Sequence, residues 1–281
     1  MGYSKPVISE IAYHTFAINE FGMATCFLLL GNQKGLLIDA GCGMCNLKEY
    51  VDRLTDKPYD VVLTHGHVDH VICAPLFPEV YCHPADWDEA RAPKWAMAAA
   101  YPDMMRPFGT FDTYDISEDD LRFYGPIQKL LPATESMRFD LGSRQVEIIE
   151  TPGHTYGSIC LLDPATRILF SGDACNPNLG IFSTSVERAL SGLLKLKARE
   201  REFDRNFNGH IGYGGSNVNQ SMPENNLDGD IFICEHLLKG DFEQYGQVSA
   251  SKRAGHTVNS AVYQGLNINY DPNRLWIRDE T

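Results

Sequence analysis

Apolar positions in this chain fall in short runs separated by turn formers, and the period of those runs changes along its length. Residues 26–30 and 36–39 are apolar stretches joined by Gly31-Asn32-Gln33-Lys34-Gly35, and with the segment before them they predict a β-meander over residues 7–39. The spacing then becomes helical. Leu47, Tyr50, Val51 and Leu54 share one face behind Asn46, and Glu49 three residues on completes a capping pattern, so the first helix is expected here. Residues 60–63 read as a buried strand that stops where polar residues begin, and residues 80–84 as a strand running into a helix. Residues 145–150, 158–162 and 168–171 predict strands of a second sheet, with Asp163-Pro164-Ala165-Thr166 turning between the last two. Thr184 with Glu187 predicts the cap of a helix reaching about residue 200, whose Val186, Leu190, Leu193 and Leu194 form a core-facing stripe. A helix is expected over 230–240, and residues 263–277 read as a last strand and tail.

The chemistry concentrates where the strand at 60–63 ends. Thr64-His65-Gly66-His67-Val68-Asp69-His70 places three imidazoles and a carboxylate in one loop, and such groups ligate zinc, iron or manganese. A single histidine is ordinarily a packed or surface residue, but four ligating groups this close have no evident purpose without a metal. The His-x-His-x-Asp-His pattern resembles the signature of the metallo-β-lactamase superfamily. Three later segments resemble the family's remaining motifs, in its order: Thr151-Pro152-Gly153-His154-Thr155, Phe170-Ser171-Gly172-Asp173-Ala174 and Asn208-Gly209-His210.

That resemblance implies an α/β fold, an αββα sandwich, here as a single domain over residues 1–281. It further implies two divalent metal ions, zinc first, with iron or manganese as alternatives. His65, His67 and His154 would hold one ion and Asp69, His70 and His210 the other, with Asp173 bridging them. The expected activity is hydrolysis of a small, apolar ester, lactone or thioester by a metal-bridging hydroxide, with Asp69 and Asp173 as the catalytic carboxylates. Asp39, in the segment Leu37-Ile38-Asp39-Ala40-Gly41, reads either as a support for the metal site or as a turn cap.

Departures from known branches narrow the choice. True β-lactamases of this fold lack the aspartate found here as Asp173. Glyoxalase II and persulfide dioxygenases follow it with a glycine-cysteine-glycine-arginine type of segment, whereas this chain has Ala174-Cys175-Asn176-Pro177-Asn178. Acyl-homoserine lactonases carry a tyrosine where Asn176 stands. The glyoxalase II and lactonase-like branch is therefore the nearest, with a mononuclear iron persulfide dioxygenase or a phosphodiester hydrolase as alternatives. Asn176, and Tyr213 in the glycine-rich loop after His210, are candidate substrate contacts.

Composition adds limits. The chain of 281 residues is 43% hydrophobic and carries a net charge of −13, with no lysine and arginine cluster able to track a phosphate backbone, so a nucleic-acid substrate is not expected. Neither a signal-peptide core nor an apolar run long enough to cross a bilayer is seen, and the expected setting is cytoplasmic, with a small-molecule substrate and no membrane partner. Residues 87–137 form an aromatic- and methionine-rich helical insertion, including Trp87, Trp95, Met97, Tyr101 and Met104. They read either as a cap over the metal site or as core packing or a homodimer contact. Cys42-Gly43-Met44-Cys45 matches C-x-x-C, but no second pair completes a zinc knuckle. A structural role is expected for both cysteines, with metal contact or thiol chemistry as the other reading.

Overall fold

In the computed structural model, which describes residues 4–93, 95–106, 110–211, 221–253 and 256–280, the apolar runs assemble into three sheets. The first has seven strands in sequence order: β1 (Val7–Ala12), β2 (Thr15–Glu20), β3 (Ala24–Leu30), β4 (Gly35–Ile38), β5 (Tyr59–Val62), β6 (Val80–Cys82) and β7 (Leu130–Pro132). Its first four strands form the antiparallel meander, and β4 to β7 then run parallel because helices carry the chain back between them. Those helices are α1 (Leu47–Leu54), the single turn α2 (Val68–Val71), and α3 (Trp87–Arg91), α4 (Trp95–Met105) and α5 (Thr110–Thr113). The second sheet is ordered β13-β11-β10-β9-β8, from β8 (Arg138–Asp140), β9 (Gln145–Glu150), β10 (Ile159–Asp163), β11 (Ile168–Gly172) and β13 (Arg205–Asn208).

Strand alternation decides the layers. Phe27, Leu29, Leu36, Ile38 and Val62 point from the first sheet toward Val146, Ile148, Ile159, Leu161 and Phe170 of the second, forming the central core. The intervening Cys26, Leu28, Leu37 and Val61 face Leu47 and Val51 of α1 and Val71 of α2 on the outside. Beyond the second sheet, Ile149, Leu162 and Leu169 pack on α6 (Val186–Ala198) and α7 (Asn226–Lys239). The order helix, sheet, sheet, helix is the αββα sandwich expected from the motifs.

Two local expectations are corrected. Ser185, not Thr184, caps α6: its hydroxyl accepts from Arg188 N at 3.2 Å, while the Thr184 hydroxyl donates to the Gly153 carbonyl. The segment read as a last strand and tail belongs to a third sheet, ordered β12-β16-β15-β14, from β12 (Asn178–Ile181), β14 (Gln247–Arg253), β15 (His256–Tyr263) and β16 (Leu266–Tyr270). Leu179, Ile181, Leu266 and Ile268 turn one face of it onto α7, so its polar alternate positions face outward. Among the described residues no helix is long and apolar enough to cross a membrane.

Candidate metal centre

All the motif residues converge at one edge of the sandwich. Strands β9, β11 and β13 run in the same direction in the second sheet, and β5 delivers its loop from the facing sheet. His154 follows β9, Asp173 follows β11, His210 follows β13, and His65 to His70 follow β5. Their ligand atoms form three overlapping groups, His65 with His67 and His154, Asp69 with His70 and His210, and His65 with His70 and Asp173, each within 4.8 Å. The Asp173 carboxylate reaches both sides, 3.6 Å from His154 Nε2 and 3.1 Å from His210 Nε2. Every residue expected from the motifs to be a ligand is therefore brought into one cluster.

The imidazoles are aimed by their second nitrogens. His154 Nδ1 lies 2.6 Å from the Gly180 carbonyl and His210 Nδ1 lies 2.9 Å from the Met23 carbonyl. A carbonyl only accepts, so both Nδ1 atoms carry a proton and both Nε2 atoms are turned toward the centre. His70 Nδ1 is 2.9 Å from Asp39 Oδ2, and Asp39 also receives Thr64 N at 2.7 Å. Asp39 thus supports the centre and shapes the turn, from a left-handed backbone with φ of 63°.

Electrostatics separate the two halves. Burial, with the neighbouring imidazoles, pushes His65 well below its ordinary value and His67 down to about 3, so both stand neutral. For Asp173, burial alone would raise the carboxyl, but His210, His70 and His154 outweigh it and hold the group ionised. Burial likewise pulls His70 down, yet Asp39 and Asp69 overcome it and raise the imidazole, so a divalent ion at Nε2 would displace a proton that the same carboxylates favour. The donor set is tested by what it leaves unsatisfied: buried His65 Nε2, His70 Nε2 and Asp173 Oδ1 have no hydrogen-bond partner. Three orphaned ligand-type atoms pointing into one space are what a cation would satisfy, and the residues fit divalent metal ions.

A cavity of about 830 Å³ opens from this cluster. Met97, Tyr101 and Met104 of α4 make one wall, with Phe182 and Val258 beyond them, and Asn178, Asn269, Asp271 and Arg274 line the polar side. The insertion thus reaches the metal end through α4. Asn176 also lines the cavity, but its amide shapes the turn after Asp173: Nδ2 donates to the Asp173 carbonyl at 3.3 Å and Oδ1 accepts from Asn178 N at 2.8 Å. Tyr213 lies outside the described residues. The Cys42 and Cys45 thiols are free and join none of the ligand groups; their backbone N–H groups donate to buried Glu20 at 2.8 and 3.0 Å.

Sequence reading missed Asp86. This buried carboxylate accepts from Gly66 N at 3.0 Å, Thr155 Oγ1 at 2.6 Å and Gly157 N at 2.8 Å, tying the loop of His65 and His67 to the loop of His154. Gly66 and Gly157 permit this approach, since a Cβ at either would come within 2.9 Å of Asp86 atoms. The weak sequence signal was an acidic residue just after the 80–84 strand. Nothing in the spacing tied it to loops 20 and 70 residues away.

Comparisons with known proteins bear on the family and the fold. The family profile of the metallo-beta-lactamase superfamily matches residues 19–199. Acyl-coenzyme A thioesterase MBLAC2 from Gallus gallus is 31% identical over 185 residues, covering 60% of this chain and 64% of that protein. The chain thus spans a little under two-thirds of that relative, and 57% of its Homo sapiens counterpart. Among solved structures, a metallo-beta-lactamase family protein from Thermus thermophilus superposes with a TM-score of 0.57 at 18% identity, covering 85% of both chains. The sec-alkylsulfatase Pisa1 from Pseudomonas sp. superposes with a TM-score of 0.59 at 12% identity, covering 85% of this chain and 43% of that one. At these identities the superpositions speak for the fold alone.

Proposed function

The chain belongs to the metallo-beta-lactamase superfamily, and from that premise we propose that it is a dinuclear metal hydrolase, not a β-lactamase, cleaving a thioester with an apolar acyl chain. The observation that carries this reading is the set of unpartnered Nε2 and carboxylate atoms at the end of a methionine-walled cavity. Thioester is preferred over ester or lactone because a relative bears the name acyl-coenzyme A thioesterase.

In this reading His65, His67 and His154 would hold one ion and Asp69, His70 and His210 the other, with the Asp173 carboxylate within reach of both groups. Divalent metals, when bound, supply Lewis acidity that polarises a carbonyl and makes water acidic enough to react near neutral pH. The protein's own part is placement. Asp39, Gly180 and Met23 keep three imidazoles turned inward, so no reorganisation is needed at the moment of reaction. Asp69, 3.4 Å from His210, is placed to accept and return a proton as water adds to the carbonyl carbon and the thiol departs. Met97, Tyr101 and Met104 bury the acyl chain and keep bulk water from the reacting carbon.

Metal analysis of the purified protein combined with a panel of thioesters, esters, lactones and phosphodiesters tests this. About two zinc or manganese ions per chain, with thioesters cleaved fastest and no oxygen uptake, is the expected result. One iron per chain with sulfite released from a persulfide overturns it, as does cleavage of phosphodiesters alone.

A further inference from the structure

Helix α4 does more than wall the cavity. Its fully buried Ala98 packs against Val68 and Ile72, the residues that bracket Asp69 and His70 around α2. One turn on, along the same face, the Tyr101 hydroxyl donates to the Met23 carbonyl at 2.9 Å. His210 Nδ1 meets that same carbonyl at 2.9 Å, so the two lone pairs of one oxygen serve a donor from the insertion and a donor from the metal end. Asp69, His70 and His210 make up one of the ligand groups. Helix α4 thus bears on the supports of all three.

The Met23 carbonyl is not placed by a regular strand. It stands in the turn between β2 and β3, where Phe21 and Gly22 take left-handed backbone with φ of 59° and 71°. Asn19 holds the turn locally, its Oδ1 accepting from Gly22 N at 2.7 Å. A phenylalanine in that conformation persists only where its surroundings over-determine it, and the insertion supplies part of them: buried Tyr114 meets the Phe21 ring edge-on at 5.5 Å. On its other side the turn is fastened to the residue before His210, since Thr25 N donates to the Gly209 carbonyl at 2.7 Å. The other ligand group is secured differently. Asp86 ties the loop of His65 and His67 to that of His154, and the Gly180 carbonyl aims His154; neither support belongs to α4.

We propose that Tyr101 is a positioning residue for the metal position formed by Asp69, His70 and His210. By fixing the Met23 carbonyl it fixes the aim of His210, so the docking of α4 sets the affinity of that position and not of the one formed by His65, His67 and His154. This rests on the dinuclear reading above and deepens it, because the helix that walls the cavity then also completes one half of the metal end. Coupling of this kind is reciprocal, and filling that position in turn tightens α4.

The test titrates the metal-free protein with Zn²⁺ in competition with a chromophoric chelator. The unaltered protein is expected to take up two equivalents, and His210→Ala identifies the step that belongs to its group by removing it. Tyr101→Phe keeps the ring against the cavity and deletes only the hydroxyl. It is expected to weaken that same step roughly fivefold, the size of one neutral hydrogen bond, and to leave the other step as it was. In the unaltered protein, filling that step is expected to slow amide hydrogen exchange in α4 by about the same factor, and not in α6 or α7. This second measurement carries the test should Tyr101→Phe fail to fold. Weakening of both steps alike, of the other step alone or of neither overturns the proposal, as does exchange that is unchanged in α4 or slowed equally in all three helices. A single equivalent taken up by the unaltered protein overturns the dinuclear reading itself, and the proposal with it.

Discussion

The two ends of the cavity are built on different physical principles. At the metal end His65, His70 and His154 are buried, and with His210 each is held through its second nitrogen, by Thr64, Asp39, Gly180 and Met23 in chain order. At the methionine-lined end, Met97 and Met104 stand 45% and 41% exposed on α4, with no comparable hydrogen bonding of their side chains. The contrast follows from what each end has to do. Ligating and polarising groups act over tenths of an ångström and must be held before the substrate arrives. An apolar wall acts through area removed from water, which is non-directional and tolerates flexible side chains.

Substitutions at the two ends should therefore differ in size and in kind. Asp173→Ala should have the largest effect, lowering the bound metal and reducing kcat by more than the roughly 100-fold typical of outer supporting groups. Metal analysis with steady-state kinetics checks it, and retention of both metals with full turnover would remove the bridging role. Next is Asp86→Ala, which leaves every ligand in place but unties the two loops. Metal affinity, read by competition with a chromophoric chelator, should weaken by roughly 10- to 100-fold, with Asp86→Asn in between. An unchanged affinity would mean that the ligand loops hold their own positions.

At the other end, Met104→Ala should raise KM for a long-chain thioester roughly three- to tenfold and leave metal content as it was, since about 0.8 kcal/mol is lost per buried methylene. A fall in metal content would erase the distinction between the ends. The smallest effect is expected at the tail beyond the polar wall. Burial pulls the Glu280 carboxyl upward, but Arg188 and the Ser185 hydrogen bonds outweigh it and hold it at about 2, against an ordinary 4.5. A depressed carboxyl stabilises the folded state above its ordinary value and loses that contribution as pH falls through the lower one. The difference in melting temperature between the unaltered protein and Glu280→Gln should thus be full above pH 4.5 and absent below pH 2, as differential scanning calorimetry would show.

Legibility in the sequence followed the range of the interactions. The first helix, the strands at 145–150 and 168–171, and the histidine-rich loop at 65–70 were readable because each depends on periodicity or on neighbours a few positions apart. The α6 cap was misassigned by one position because Thr184 and Ser185 are both capping residues, and only the pull of Gly153 on the Thr184 hydroxyl separates them. The third sheet was read as a single strand because the alternation of β14 and β15 is polar and carries little hydrophobic signal.

The sequence by itself determined which side chains would gather into one cluster at the strand ends, through short motifs whose resemblance to a known family also implied the layers, because residue type and close spacing are local properties of the chain. Only the tertiary structure decided that Asp86 would join two ligand loops, that a β12 carbonyl would turn His154 toward the centre, and that Asn178 would meet Asn269 across two strands. Each of those contacts spans tens of residues and depends on the direction of one side chain or carbonyl, which packing sets and composition does not.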